Sequence, residues 1–172
     1  MMNIKEFYIL GLPIETDIGL CHFLKVKEYP DYFFDLQVIS LTKDHLIHKY
    51  SELNKNGILT EFIEELSKHD LFELAFSIPE LKESYFKIFS KVFADEQAII
   101  KINQDNFYFY RQLIMIMNCL KEEKINPNPE IQRAIERSKR VKAAESESLE
   151  FSDIVSSIVG WNGLTYQNLN EF

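Results

Sequence analysis

Glycine and proline are scarce in this chain, five of each in 172 residues. So few turn formers leave little room for a fold built of many short strands, and helices are expected to dominate. The glycines are also scattered, which excludes a glycine-rich phosphate cradle. Cysteine is limited to Cys21 and Cys119, far apart and each in apolar surroundings. That excludes a thiolate-rich metal site and predicts two buried free thiols in a reducing cytosol. Positive charge is in deficit: the net charge is −8. A surface of that sign repels phosphate backbones, so no nucleic-acid partner is expected. No apolar run reaches the roughly 20 residues that span a bilayer, and the N-terminus MMNIKEFYIL lacks the pattern of a signal peptide. No membrane partner is expected, and the chain reads as intracellular.

What the chain has in quantity is phenylalanine, 14 residues, with 8 tyrosines against a single tryptophan. Most fall in helical patterns, where core packing is their first role. The longest apolar run is 105–120, DNFYFYRQLIMIMNCL. It is too short for a membrane span and reads as a core helix capped by Asp105 or Asn106. The rest of the body is expected to pack on it.

Upstream, 6–12 (EFYILGL) and 18–26 (IGLCHFLKV) are short apolar runs predicted to pair as a hairpin around the turn formers of PIETD. From Asp31 the spacing becomes helical, with Tyr32, Phe33, Leu36 and Ile39 recurring at three to four residues. Thr42 reads as an N-cap and Asn56-Gly57 as a stop; Thr60 caps the next helix, with Phe62, Ile63 and Leu66 inward. Residues 70–76 extend this zone after a break. Ser77-Ile78-Pro79-Glu80 is a helix start, because proline in a first turn gives up no bonded N–H. Leu81, Tyr85, Ile88, Phe89 and Val92 then form one stripe. AIIKI at 98–102 is predicted as a strand positioned to pair with the N-terminal run. After Leu120, INPNP at 125–129 cannot continue a helix. A charged stretch over 130–147 reads as a solvated helix or tether. Ser152 caps 153–159, Gly160 ends that piece, and a further helix begins near Thr165. It stops barely two turns in, so the chain is expected to be a piece or one product of a longer gene.

The fold class expected is therefore mainly α: a helical body over 1–124 with a small hairpin or sheet, a linker or charged helical arm over 125–150, and a short C-terminal helical segment over 151–172. Chemistry is hard to find in it. His45 and His48 lie one turn apart beside Asp44, but no HExxH or cysteine set completes a metal site. Cys21 and His22 are neighbours, and neighbours on a strand face opposite ways. The carboxylates sit on outer helix faces, with no pair singled out for acid–base work, and there is no GxSxG. The chain is accordingly expected to be no enzyme and to use no catalytic residue, metal or cofactor. A protein partner is the better expectation. The candidate partner-binding residues are Phe109, Leu113 and Met117 on the long helix, Arg133, Arg137 and Arg140 in the basic stretch RAIERSKRVK, and Trp161 in the tail. The face carrying Phe109, Leu113, Ile116 and Met117 is core if buried and a partner groove if exposed.

Three stretches, GLPIETDIGLCHFLKVKEYPDY, MNCLKEEKINPNPEIQRAIERSK and FSDIVSSIVGWNGLTYQNLNEF, resemble proteins from tail-module gene clusters of siphophages and prophages of low-GC Gram-positive bacteria. Within those clusters the chain is similar to tail assembly chaperones. The resemblance implies a non-enzymatic, mostly helical protein of the host bacterial cytoplasm. It would coat the apolar tape measure protein, be displaced as tail tube protein polymerises, and self-associate. It supplies no catalytic residues. A structural tail or connector component, or a host-directed phage protein, are the alternatives.

Overall fold

The computed structural model describes residues 12–122, 125–126 and 128–145. The chain forms two compact units, Met1–Glu123 and Lys124–Phe172. In the first unit a two-stranded hairpin leads into six α-helices, so the body is mainly α with a minor β element, as its composition implies.

The hairpin is smaller than expected and shifted. Strand β1 (Ile14–Thr16) pairs antiparallel with β2 (Gly19–Cys21), with Ile14 opposite Cys21 and Thr16 opposite Gly19. The segment read as a turn, PIETD, supplies the first strand, and the turn is the two residues Asp17-Ile18. Gly19 decides this: its φ of 144° is open to glycine and to few other residues. Residues 6–11 of the predicted first strand lie outside the described residues. The hairpin is pinned to the helical body. The His22 amide donates to the Val92 carbonyl at 2.7 Å, the Tyr110 hydroxyl donates to the Asp17 carboxylate, and Cys21 is buried with its Sγ 3.3 Å from Met117 Sδ.

Helix α1 (Tyr29–Ser40) follows a single 3-10 turn. Then come α2 (Lys43–Leu53), α3 (Thr60–Lys68) and α4 (Leu71–Ser77). The caps explain where these start. Thr42 Oγ1 accepts from the His45 amide. Asp70 and Glu73 form a reciprocal capping box on α4, each side chain accepting from the other's backbone N–H. Thr60 is the first residue of α3 rather than its cap; Leu59 holds that position. Of the three residues expected to face inward from α3, Leu66 is buried, Ile63 is half-buried and Phe62 is exposed, its ring edge-on to Tyr50.

The core lies between α5 (Pro79–Phe93) and α6 (Gln104–Met117), with α1 packed on the same side of α5. The predicted stripe Leu81, Tyr85, Ile88, Phe89 and Val92 is buried without exception. Its rings continue into a connected aromatic cluster. Phe107 of α6 lies 5.4 Å from both Tyr85 and Phe72 and 6.0 Å from Phe76, and Phe93 meets Tyr110 at 5.6 Å. Of the eleven phenylalanines among the described residues, Phe89, Phe93 and Phe107 are buried and three more are half-buried, while Phe33, Phe34, Phe62, Phe86 and Phe109 are exposed. Each buried ring contributes about 2–3 kcal/mol of hydrophobic stabilisation.

Residues 98–102 are not a strand. A 3-10 helix runs over Glu96–Lys101, opened by Asp95, whose carboxylate accepts from the Gln97 amide. Burial follows the helical period: Ala98 and Ile102 are buried while Ile100 is 80% exposed, whereas a strand would place all three on one face. Helix α6 starts two or three residues earlier than the sequence suggests, because Asn103 is its cap and accepts from the amides of Asp105 and Asn106.

Helix α6 also carries a buried charge. The Arg111 side chain is 4% exposed. Its Nε donates to the Ile39 carbonyl at 2.9 Å and its Nη2 to the Leu41 carbonyl at 3.1 Å. Its third partner is the Glu122 carboxylate. The guanidinium therefore caps the C-terminus of α1, where a cation meets unsatisfied carbonyls and the negative end of the helix dipole.

In the second unit, α7 (Pro129–Glu145) is helical as the charged stretch allowed. INPNP ends in its cap: Asn128 Oδ1 accepts from the Glu130 amide at 2.9 Å, and Pro129 takes the first helical position. The helical pieces expected at 153–159 and from Thr165 lie outside the described residues.

Candidate functional site

A concavity runs along the outer face of α5. It has a volume of about 890 Å³ and its lining reaches from Pro79, at the first turn, to Ala94 and Asp95 beyond the last. Fifteen helical residues give it a length of ~22 Å. Tyr32 of α1 forms one wall; Phe86 and the stems of Lys82, Lys87 and Lys91 line the α5 side. Most of the lined surface is apolar, since lysine stems cover it with methylenes while holding the ammonium groups at the rim.

Lys82, Glu83 and Asp95 also line this groove, and two of its lysines, Lys87 and Lys91, are tied to its wall. Asp35, buried in α1, accepts from the Ser84 hydroxyl at 2.7 Å and pairs with Lys87 Nζ at 2.7 Å. Lys87 Nζ also donates to the Asp31 carbonyl and lies 5.1 Å from the centre of the Tyr32 ring. Lys91 Nζ pairs with Glu28 at 2.7 Å and lies 5.9 Å from the same ring. The hydrogen bond to Asp35 holds the Lys87 ammonium above its usual pKa, and that to Glu28 does the same for Lys91. Lys91 in turn lowers the Glu28 carboxyl. Lys82 has no carboxylate partner among the described residues. Ser90 Oγ, at the groove floor, is buried with no hydrogen-bond partner among the described residues.

Sequence reasoning reached the buried face of α5 and missed this outer one. The available signal was Phe86, which breaks the helical stripe and is flanked by Lys82 and Lys87. The residues it did single out are placed elsewhere. Phe109 is 61% exposed on α6, whereas Leu113 and Met117 are buried in the core, so the three share no surface. Their spacing is the reason: Phe109 precedes Met117 by eight residues, about 80° around the helix. Ile116 is exposed on the outer side with Phe109. Arg133, Arg137 and Arg140 are exposed along one face of α7 in the second unit. Trp161 lies outside the described residues. Cys119 is exposed rather than buried, because it sits just past the end of α6.

Among the described residues no group of three or more His, Cys, Asp or Glu side chains is placed to hold a metal ion. None of the described helices is long and apolar enough to cross a membrane.

Fold and groove together define a mainly α protein of seven described helices and one small hairpin, with an open, apolar, lysine-rimmed surface channel. The chain belongs to the family described as the YomV N-terminal domain, whose model matches residues 2–127. It is 40% identical to the SPbeta prophage-derived uncharacterized protein YomV of Bacillus subtilis (strain 168), over 99% of this chain and 72% of that protein. The family supports the phage origin expected from the sequence. No solved structure matches the chain.

Proposed function

We propose that the protein is a non-enzymatic phage assembly factor, a tail assembly chaperone that holds the tape measure protein through the groove along α5 until tail tube protein displaces it. Three things support this reading. The resemblance of the chain points to tail-module proteins; its relative in Bacillus subtilis is prophage-derived; and the groove has the form needed. The carrying observation is the groove itself: it is open, about as long as four helical turns, apolar along its floor and lined by Phe86, Tyr32 and lysine stems. An amphipathic helix laid in such a channel buries its apolar face against rings and methylenes. Acidic residues at the helix margin then meet Lys82, which has no other carboxylate among the described residues.

The test is co-expression with a helical fragment of the tape measure protein encoded in the same prophage. The fragment is expected to stay soluble with the wild-type chain and to precipitate with Phe86→Glu, which places a charge on the groove floor. Phe86 is already 42% exposed, so the variant is expected to keep its thermal transition. A fragment no more soluble with the wild-type chain than alone would end the chaperone reading. Recovery of the protein from mature particles would favour a structural tail component instead.

A further inference from the structure

We infer that the outer face of α6 is a self-association surface that pairs two copies of this chain antiparallel about Gln112. This rests on a different face from the groove along α5 and stands or falls independently of it. The residues exposed along α6 and its end are Gln104, Asp105, Tyr108, Phe109, Gln112, Ile116 and Cys119. Measured from Gln112, Asp105 and Cys119 lie seven residues before and after it, and Tyr108 and Ile116 lie four before and after. Five of these exposed positions therefore form a stripe spaced evenly about Gln112, and a two-fold axis there makes each contact occur twice with the roles exchanged.

A two-fold axis at the level of Gln112, perpendicular to both helices and midway between them, keeps each residue on its own side of the contact and reverses its level along the helix. At 100° per residue, Phe109 leans about 60° to one side, three residues before the axis, and Ile116 leans about 40° to that same side, four residues after it, so Phe109 of one copy meets Ile116 of the other. Tyr108 and Met115 lean by about 40° and 60° to the opposite side and meet in the same way. Met115 lines a concavity of about 460 Å³ together with Tyr108, Arg111, Gln112, Ile116 and Leu120. The 44% exposed Tyr108 ring of each copy is thus presented to the concavity of the other.

Charge selects this pairing over a parallel one. Between its ends the stripe carries no charge, in a chain whose net charge of −8 otherwise opposes self-association. Asp105 stands at one end and Lys121 just beyond the other. Both are exposed, and neither has an ion-pair partner among the described residues. The antiparallel arrangement brings each Asp105 beside the other copy's Lys121 and also opposes the helix dipoles favourably. A parallel arrangement places like charges together. A contact one helix long is at the small end of stable interfaces, so the dimer is expected to form in the micromolar range.

Sedimentation across that range and disulfide trapping test it together. The wild-type chain is expected to pass from monomer to dimer, and Ile116→Glu is expected to stay monomeric with an unchanged thermal transition. Under mild oxidation Gln112→Cys in a Cys119→Ser background is expected to form a cross-linked dimer, because the axis brings the two thiols together. The native Cys119 is expected not to cross-link: about 10 Å from the axis along the helix, the two copies' thiols stand ~20 Å apart, well beyond the reach of a disulfide. A chain that remains monomeric at hundreds of micromolar overturns the inference. So does a dimer indifferent to Ile116→Glu, or one cross-linked through Cys119.

Discussion

Cys119 adopts a φ of 55°, a left-handed conformation that costs most side chains of order 1 kcal/mol. It does so to finish α6. The Leu120 amide donates back to the Met115 carbonyl at 2.8 Å and the Cys119 amide to the Ile116 carbonyl at 3.2 Å, which is the hydrogen-bond pattern of a Schellman ending. Leu120 supplies the accompanying apolar contact against the core. Ala94 does a similar job at the end of α5, with a φ of 48°. Glycine takes this conformation without steric strain. Cys119→Gly and Ala94→Gly are each expected to raise stability by about 0.5–1 kcal/mol, measured by urea denaturation at equilibrium. A loss of stability at both positions would mean that the missing side-chain contacts outweigh the relieved backbone. Cysteine here also explains a failed expectation. An apolar neighbourhood in the sequence suggested burial, but a residue just past a helix end points where the turn sends it. Its counterpart Cys21, inside the fold, is held above the usual thiol range, at about 12, by desolvation.

At the scale of the elements, the buried stripe of α5 was legible, that of α3 only in part, and the outward faces were not. The α5 stripe, the Thr42 cap and the Pro79 start follow from spacing and local hydrogen-bond chemistry, and each is found where the sequence put it. The run AIIKI was misread because a short β-branched segment is consistent with a strand or a buried turn of helix, and only Asp95 as a cap separates them. The groove stayed hidden for another reason. It is made by two elements: Tyr32 and Phe86 are 54 positions apart in the sequence, and no pattern within α1 or α5 alone announces it. The junction of α3 and α4 carries a pH dependence that the sequence also left unmarked. His69 bridges them, with Nε2 3.2 Å from Glu65 and Nδ1 3.0 Å from Glu73. Hydrogen bonds to Glu73 and then Glu65 raise the His69 pKa above 6.5 in the folded chain. A raised folded value means that the bridge stabilises fully below about pH 6.5 and that this contribution fades as pH rises through the folded pKa. Lys68 and His69 lower the Glu65 carboxyl below 4.5, so its share is present above that pH and lost as pH falls. The junction is thus expected to be firmest between the two values. His69→Gln should flatten the decline on the alkaline side in a series of denaturation curves; an unchanged profile would show that the bridge contributes nothing in solution.

For the whole molecule, every buried apolar residue among those described falls between Ile18 and Met117, and Arg111 closes the first unit through Glu122. A chain cut after Glu122 is therefore expected to unfold in one cooperative thermal transition, read by circular dichroism, without the second unit. A broad, non-cooperative loss of helix would show that this core needs more of the chain than it buries. Within that core, the carboxylate of Asp35 has a role beyond neutralising Lys87. Sliding α1 along α5 by one turn would strip it of Ser84 and leave a desolvated anion, a far larger penalty than any apolar slippage. The two helices are thereby locked in register, and Tyr32 stands over α5 before any partner arrives. On the proposed reading of the channel, an incoming segment would have no rearrangement to wait for. Sequence variants of one bound segment should then differ in how long they stay and scarcely in how fast they arrive.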